Sequence, residues 1–311
     1  MSFGVEGALR KVGLGGIHPL TQRYAFQIFG VRMEVKSLSE NMLFVTVRID
    51  TVDVNGNGGS GTGFIFAHNY NGNEVLSIVT NKHVIAGAVK GGITFIKQDS
   101  GKPKLGESFR IDFDNFESWW SGHPDKDVDI TVTPLVPLLE FMKANHNVDV
   151  FFKCISSENI PTAADIAEID ALEEVVFVGY PNGIWDNKNY TPIIRKGTTA
   201  TPYALDFEGS KKFIIDASVF GGSSGSPLFL LNSGTYTRKD GGTVVGSRFF
   251  FLGVVAAVFF KRSVNDIVSL PIPTSSKHVV IDQEMIDLGI VYKAETVVEA
   301  IEFAIVRDTK A

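Results

Sequence analysis

The sequence lacks the features that characterise disulfide-linked, membrane-spanning and nucleic-acid-binding proteins. It has a single cysteine, Cys154, so no internal disulfide can form. No run approaches the roughly 18 apolar residues of a membrane span, and the N-terminus lacks the charged-then-apolar pattern of a signal peptide. The net charge is −6 and no basic stripe is present. We therefore expect no membrane partner and no nucleic-acid partner.

Metal and cofactor motifs are also missing. None of the six histidines lies in an H-E-x-x-H pattern, and one cysteine cannot form a C-x-x-C pair. Gly56, Gly58 and Gly61 formally match G-x-G-x-x-G, but a strand-like segment follows where a helix N-terminus would have to receive a pyrophosphate. We interpret residues 55–63 as a mobile loop and expect no cofactor.

Short strand-like segments dominate what is present. Val45, Val47 and Ile49 alternate with polar residues, the period of a half-buried strand. Asn71-Gly72 between two apolar segments predicts a hairpin. Further strands are expected at 93–97, 108–113, 129–135, 174–179, 192–196, 213–220, 227–231 and 248–260. Apolar residues at helical spacing from Val297 onward predict a helix near the C-terminus.

A candidate nucleophile lies in the segment G-G-S-S-G-S-P-L-F at 221–229, where Gly222 and Gly225 flank Ser224. A serine hydroxyl attacks a carbonyl only if a base removes its proton and donors receive the negative charge. Small residues allow a tight turn that aims backbone N–H groups at one point, and Gly222 and Ser224 could supply two of them. The alternative is an ordinary Gly/Ser-rich hairpin turn.

Two residues could complete a catalytic triad with this serine. His83 ends an apolar strand-like segment, and Asp129 begins the run D-I-T-V. The order His, Asp, Ser is that of the chymotrypsin arrangement and differs from those of subtilisin and the α/β-hydrolases. Asp127 lies on the same strand face as Asp129, so alternation alone does not choose between the two carboxylates.

Several motifs resemble successive landmarks of trypsin-like serine peptidases. They are G-T-G-F-I-F (61–66), V-T-N-K-H-V-I (79–85), D-I-T-V (129–132), D-A-S-V-F-G-G-S-S-G-S-P-L (216–228) and G-V-V-A-A-V (253–258). They are most similar to the bacterial Deg/HtrA-type branch, here without a PDZ domain, and the resemblance covers roughly residues 40–285. It implies an all-β fold of two six-stranded antiparallel β-barrels with a C-terminal α-helix.

The resemblance also implies a division of the chain. We expect an N-terminal extension at 1–36, a double β-barrel at 37–290 and a C-terminal helix at 291–311. The first barrel would span about 40–140 and the second about 170–285, with 140–172 as the connection. Secreted members usually carry several cysteines, so one cysteine suggests a reducing, cytoplasmic location. Cys154, in an apolar segment, is expected to be a buried structural thiol.

The implied function is that of a serine endopeptidase acting on protein or peptide substrates. In it Ser224 is the nucleophile, His83 the general base and Asp129 the residue that orients the histidine. Gly222 and Ser224 form the oxyanion hole. Ser223 stands where digestive members carry an aspartate that pairs with a newly cut N-terminus. A neutral serine cannot hold that ammonium, so no activating cleavage is expected.

The resemblance places three residues at the substrate-binding pocket. Ser218, six positions before the nucleophile, lies at its base, and Ala256 and Val258 lie on its wall. A pocket with no carboxylate at its bottom does not favour a lysine or arginine side chain of the substrate, because burying an unpaired charge is costly. Val258, where deep pockets have glycine, narrows the entrance. The prediction is a small aliphatic residue before the cleaved bond.

Two other interpretations remain. Ser223 is the centre of a G-x-S-x-G pattern like an α/β-hydrolase elbow, although a strand-like segment follows where that fold has a helix. Alternatively, the chain is a catalytically silent trypsin-like fold that binds peptides or a partner protein. The natural substrate and the oligomeric state do not follow from the sequence.

Overall fold

Two groups of β-strands follow one another along the chain in the computed structural model, which describes residues 33–267 and 278–309. The first group contains β1 (Thr46–Asp53), β2 (Gly58–Tyr70), β3 (Asn73–Thr80), β4 (Ala88–Asp99), β5 (Lys102–Asp114), β6 (Ser121–Gly122), β7 (Thr131–Pro134), β8 (Val150–Phe151) and β9 (Ile155–Ser156). The second contains β10 (Glu174–Gly179), β11 (Ile193–Thr199), β12 (Lys212–Asp216), β13 (Pro227–Asn232), β14 (Thr235–Thr237), β15 (Thr243–Val245), β16 (Arg248–Ile267) and β17 (His278–Lys293). The predicted extension at 1–36 lies almost entirely outside the described residues.

Five α-helices accompany the strands in the part of the chain that the structure describes. They are α1 (Leu38–Met42), α2 (Lys82–Ile85), α3 (Val136–His146), α4 (Ala163–Glu168) and α5 (Glu295–Asp308). The predicted C-terminal helix is confirmed as α5. Helices α3 and α4 lie in or beside the predicted connection at 140–172. No helix in the described ranges is long and apolar enough to cross a membrane.

The second strand group closes into a six-stranded barrel in the order β10-β11-β12-β17-β16-β13. Phe177, Phe213 and Leu228 belong to its buried core. This confirms a mostly β fold with one closed barrel. Strand β17 was not predicted from the sequence; it pairs with β12 on one side and β16 on the other and so completes the barrel.

The first strand group forms a nine-stranded sheet rather than the predicted closed six-stranded barrel. Its order is β5-β4-β1-β2-β3-β7-β6, with β8 paired to β4 and β9 paired to β2. The predicted alternation in β1 holds, since Val47 and Ile49 are buried. The predicted hairpin also forms, because Asn71 and Gly72 adopt the positive φ angles that a tight two-residue turn needs.

The glycine-rich segment predicted as a mobile loop is mostly strand. Strand β2 begins at Gly58 and pairs with β1 throughout 58–64. A Cβ atom at Gly61 would lie 2.5 Å from Val84 Cγ1, so glycine lets helix α2 pack directly on the strand. The prediction of a mobile loop is wrong, because the glycine at 61 marks a close approach between helix α2 and strand β2 rather than mobility.

A shared apolar core joins the two strand groups and α5. Phe64 of β2 packs against Phe251 of β16 with ring centroids 5.5 Å apart, and Val297 and Ile301 of α5 belong to the same buried cluster. Burying side chains of this size contributes about 1.5–3 kcal/mol each. The core holds the two strand groups together beside the loops that carry the predicted site residues.

Cys154 corrects one sequence-based prediction. The residue lies between β8 and β9 and is exposed rather than buried. The apolar segment around it is split by the irregular stretch 152–154, in which the strand alternation that would bury the thiol is interrupted.

Candidate active site

His83 and Asp129 are hydrogen-bonded to each other. His83 lies on the short helix α2, which directly follows β3, and its Nδ1 is 2.5 Å from Asp129 Oδ2. The backbone N–H of His83 donates to the other carboxylate oxygen at 3.1 Å. A carboxylate at Nδ1 favours the tautomer with the proton on that nitrogen, which leaves Nε2 able to accept a proton.

The neighbouring carboxylate, Asp127, does not reach the histidine. Its backbone N–H donates to Asp125, and its carbonyl accepts the hydroxyl of Tyr292 at 2.8 Å. The carbonyl of Asp129, by contrast, accepts the side-chain amide of buried Asn81 at 2.7 Å. The strand alternation that left Asp127 and Asp129 equivalent ends before β7, so the loop turns only Asp129 toward His83.

Ser224 lies in the loop between β12 and β13, and this loop is anchored on two sides. The carbonyl of Ser224 accepts the N–H of Thr62 at 2.9 Å. The N–H of Gly225 donates to Val255 at 2.8 Å, and Val255 donates back to Ser226 at 2.9 Å. The serine backbone is thereby fixed to β2 of the first strand group and to β16 of the barrel.

His83 and Ser224 line the same open cleft, whose volume is about 390 Å³. Gly221 and Gly222 form part of its wall. The hydroxyl of Ser224 donates to the carbonyl of Ala256 at 3.2 Å, and the described residues include no hydrogen bond between Ser224 and His83. Catalytic hydrogen bonds are often unformed before substrate binds, so this orientation is compatible with a nucleophile–base pair.

Two backbone donors beside the serine are unused. Among the described residues, the N–H groups of Gly222 and Ser224 donate to no protein acceptor. Gly222 has φ = +81°, and a Cβ atom there would collide with the carbonyl oxygen of Tyr180. Only glycine fits this conformation without strain. Backbone N–H groups without a protein acceptor are the kind of donor that can receive a developing oxyanion.

Ser223 is in a different environment from Ser224. It is only 1% exposed, and its hydroxyl has no hydrogen-bond partner among the described residues. The residues that line the cleft include Ser224 but not Ser223. Strand β13 follows the loop where an α/β-hydrolase has a helix. The structure therefore gives the hydrolase-type interpretation of Ser223 no support.

The residues predicted to form a substrate pocket lie on β16 and in the loop after β12. Ala256 is buried, while Ser218 and Val258 are half-buried. Val258 packs against the barrel cluster that includes Ala217 and Val219. The three predicted pocket residues are themselves small or aliphatic and carry no charge.

Three titratable groups in the cleft or near the His83–Asp129 pair have displaced pKa values. Hydrogen bonds from Asn57 lower the pKa of Asp53, which lines the cleft. Burial lowers the pKa of Lys82, next to the histidine, although nearby carboxylates oppose the effect. Burial also raises the pKa of Tyr292, and the negative charge of Asp129 adds to this increase.

The trypsin-like peptidase domain model matches residues 61–236, more than half of the chain, and the matched range contains His83, Asp129 and Ser224. The chain belongs to the trypsin-like peptidase domain family. No curated protein sequence matches this peptidase domain.

The solved structures to which the chain is similar include proteases from a bacterium and a virus. The active form of the Rv3671c protease from M. tuberculosis is 16% identical, with a TM-score of 0.42 over 85% of this chain and 82% of that chain. Its inactive form is also 16% identical, with a TM-score of 0.39 over 87% and 98%. Catalytically active tobacco etch virus protease complexed with product is 13% identical, with a TM-score of 0.39 over 73% of each chain.

Thr62 lies at the centre of the site, although its role was not predicted from the sequence. Its side chain is fully buried, its hydroxyl donates to the carbonyl of Gly222 at 2.9 Å, and it accepts the N–H of Tyr180 at 3.1 Å. Its carbonyl accepts the hydroxyl of Thr80 at 2.7 Å. The G-T-G motif was the available signal, but a threonine between glycines does not reveal which loop it will contact.

Proposed function

We propose that this peptidase domain is a serine endopeptidase whose triad is His83, Asp129 and Ser224. The observation that carries the proposal is the shared cleft, in which a carboxylate-bound histidine and a serine with unused backbone donors lie together. The family membership supports a peptidase. The motifs favour the Deg/HtrA-type branch within it.

In the proposed mechanism, Ser224 Oγ attacks the carbonyl carbon of the scissile bond while His83 Nε2 takes its proton. Before attack, the hydroxyl leaves the Ala256 carbonyl by rotation about the Cα–Cβ bond. The N–H groups of Gly222 and Ser224 receive the negative charge that develops on the carbonyl oxygen. His83 then protonates the leaving amine, and water hydrolyses the acyl-enzyme by the reverse sequence of proton transfers.

Asp129 holds the histidine in the tautomer that this mechanism needs. With its proton on Nδ1, His83 presents Nε2 as an acceptor toward the cleft. The carboxylate also stabilises the imidazolium that forms after proton transfer. Its two contacts, with the ring and with the backbone N–H of His83, support a fixed position of the ring.

We further propose a preference for small aliphatic residues on the acyl side of the cleaved bond. Ser218 contributes a hydroxyl rather than a carboxylate at the expected pocket base. Val219 and Ile215 crowd the neighbouring Gly289, since a Cβ atom there would lie 2.9 Å from Val219 Cγ2 and 3.0 Å from Ile215 Cγ1. This crowding and the packing of Val258 leave little room for an aromatic ring.

We propose that the enzyme acts on protein or peptide substrates in a reducing, cytoplasmic compartment, since the chain has a single cysteine. The proposed enzyme needs no activating cleavage, because the buried Ser223 has no charge to pair with a new N-terminus.

The test is hydrolysis of a quenched-fluorescence peptide library by the purified chain, with the Ser224→Ala variant as control. We expect turnover by the wild-type chain and its loss in the variant. Binding of peptides without turnover would instead support the catalytically silent alternative.

A further inference from the structure

The direction of one proposed oxyanion donor depends on a turn in another part of the chain. The carbonyl of Gly221 accepts a hydrogen bond from the backbone N–H of Asn182. A trans peptide unit is planar, with its C=O and N–H pointing in opposite directions. Fixing the Gly221 carbonyl therefore fixes the Gly222 N–H, which is directed away from Asn182.

The second donor is set within the nucleophile loop itself. The carbonyl of Ser223 accepts the N–H of Ser226 at 3.0 Å, and the same planarity then orients the N–H of Ser224. Different parts of the chain therefore orient the two donors. The N–H of Ser224 is oriented by the nucleophile loop itself. The N–H of Gly222 is oriented by the turn that residues 181–184 form, the 181–184 turn.

The 181–184 turn has a tightly specified backbone. Asn182 and Gly183 both have positive φ angles, 49° and 69°. Gly183 N–H donates to Tyr180 at 3.0 Å, and Ile184 N–H donates to Pro181 at 2.7 Å. Asparagine is one of the few residue types besides glycine that adopts the left-handed conformation readily, so the local sequence favours this turn. A contact from outside the turn can then fix where it lies relative to the nucleophile loop.

Arg48 of β1 supplies such a contact. Its Nη1 donates to the carbonyl of Gly183 at 2.8 Å, and its guanidinium lies 4.8 Å from the centre of the Trp185 ring. Asp50 holds the same guanidinium at 2.9 Å, and the arginine side chain is only 19% exposed. A partly buried arginine with three partners of this kind is a rigid anchor rather than a solvated surface charge.

We propose that Arg48 is a positioning residue for the oxyanion hole. Through Gly183 it holds the 181–184 turn, the turn holds the Gly221 carbonyl through Asn182, and the carbonyl directs the Gly222 N–H into the cleft. Ser223 cannot perform this anchoring, because its hydroxyl has no partner among the described residues. The inference rests on the proposed peptidase function for its kinetic consequence, but the anchoring itself can be measured without activity.

The main variant is Arg48→Met, with Arg110→Met as the matched control. Arg110 pairs with the same Asp50 and also with Asp112, but it makes no contact with the 181–184 turn. Both changes remove one positive charge beside Asp50, so an effect of charge alone would appear in both. Arg48→Lys keeps the charge but loses the planar fork that binds Gly183 and Asp50 together.

Two readouts are needed. The first is amide hydrogen exchange at Asn182, which we expect to accelerate by about 10-fold or more in Arg48→Met and to stay unchanged in Arg110→Met.

The second is steady-state kinetics with a peptide substrate. Since losing an oxyanion donor costs about 10²–10³ in kcat, a donor that is only loosened should cost about 10- to 100-fold. KM should change by less than about threefold, and Arg48→Lys should fall between wild type and Arg48→Met.

The outcomes separate the two proposals. Unchanged exchange at Asn182 in both Arg48 variants overturns the anchoring, whether or not the chain cleaves peptides. Faster exchange with unchanged kcat in an active enzyme overturns the positioning role. Faster exchange in a chain whose wild type cleaves nothing supports the anchor and contradicts the peptidase function. If Arg48→Met does not fold, the comparison of Arg48→Lys with Arg110→Lys decides in the same way.

Discussion

The hydroxyl of Thr62 donates a hydrogen bond of 2.9 Å to the carbonyl of Gly222, and so joins strand β2 directly to the nucleophile loop. The backbone N–H of the same threonine donates to Ser224 at 2.9 Å. The carbonyls of Gly222 and Ser224 are therefore both fixed by one buried residue of the first strand group. The proposed nucleophile and the proposed base, which come from different strand groups, are held in one cleft partly by this residue.

Thr62→Val should destabilise the chain and lower its turnover, because valine keeps the shape but cannot pair with Gly222 or Tyr180. Leaving buried polar groups unpaired costs about 1–3 kcal/mol each. Because two groups lose their partner, we expect the free energy of unfolding, measured in urea, to fall by about 2–6 kcal/mol. Thr62→Ser keeps the hydroxyl and is the matched control. Equal stability and equal turnover in the two variants would contradict this role of the hydroxyl.

Asp129→Asn should reduce kcat by about 10⁴-fold, the loss expected when a triad of this type loses its orienting carboxylate. The neutral amide no longer enforces the proton on Nδ1 of His83. Asp127→Asn, in the same loop, should retain nearly full activity, because Asp127 contacts Tyr292 through its backbone carbonyl, which the substitution leaves in place. Steady-state hydrolysis of a peptide substrate distinguishes the two, and a large loss in Asp127→Asn alone would reverse the assignment.

Peptide-library profiling should give cleavage after alanine, valine and other small aliphatic residues. The preference should be graded, because each misfitting methylene in an apolar pocket costs only about 1–3 kcal/mol. Ser218→Asp should shift cleavage toward lysine and arginine by supplying a carboxylate at the pocket base. Val258→Gly should admit larger side chains. Dominant cleavage after lysine or arginine by the wild-type chain would refute this mapping of the pocket.

Alkaline pH should destabilise the fold through buried tyrosines. Burial raises the pKa of Tyr180 to about 12, so the folded chain keeps the phenol neutral after the unfolded chain has begun to ionise near pH 10. The contribution of the neutral Tyr180 to the free energy of unfolding is fully present below about pH 10 and is lost as the pH rises toward 12. Tyr180→Phe should reduce the loss of unfolding free energy between pH 9 and 11 by about 1 kcal/mol. Identical pH profiles would show that Tyr180 does not contribute.

The sequence predicted those parts of the fold that depend on local pattern. The period-2 alternation around Val47 and the Asn71-Gly72 turn identified β1 and the β2–β3 hairpin, and the apolar spacing from Val297 identified α5. Strand β17 was missed, although it closes the barrel. The nine-stranded arrangement of the first strand group depends on which strands pair across the sheet, and this is a tertiary property that local alternation does not encode.

The candidate site could be predicted as residue types but not as a geometry. Motifs pointed to His83, Asp129 and Ser224, and the structure brings the first two into contact and the third into the same cleft. The supporting residues were not predictable in this way. Thr62 and Arg48 act through backbone carbonyls at 222 and 183, and contacts with a backbone leave no complementary side chain to recognise in the sequence.

The most direct test of the account is labelling with a fluorophosphonate probe, followed by mass-spectrometric mapping of the modified residue. Only a serine activated by a base and an oxyanion hole reacts rapidly with such a probe. We predict one label per chain at Ser224, abolished in Ser224→Ala and retained in Ser223→Ala. Labelling at Ser223, or no labelling of a folded wild-type chain, would contradict the proposed nucleophile and with it the peptidase mechanism.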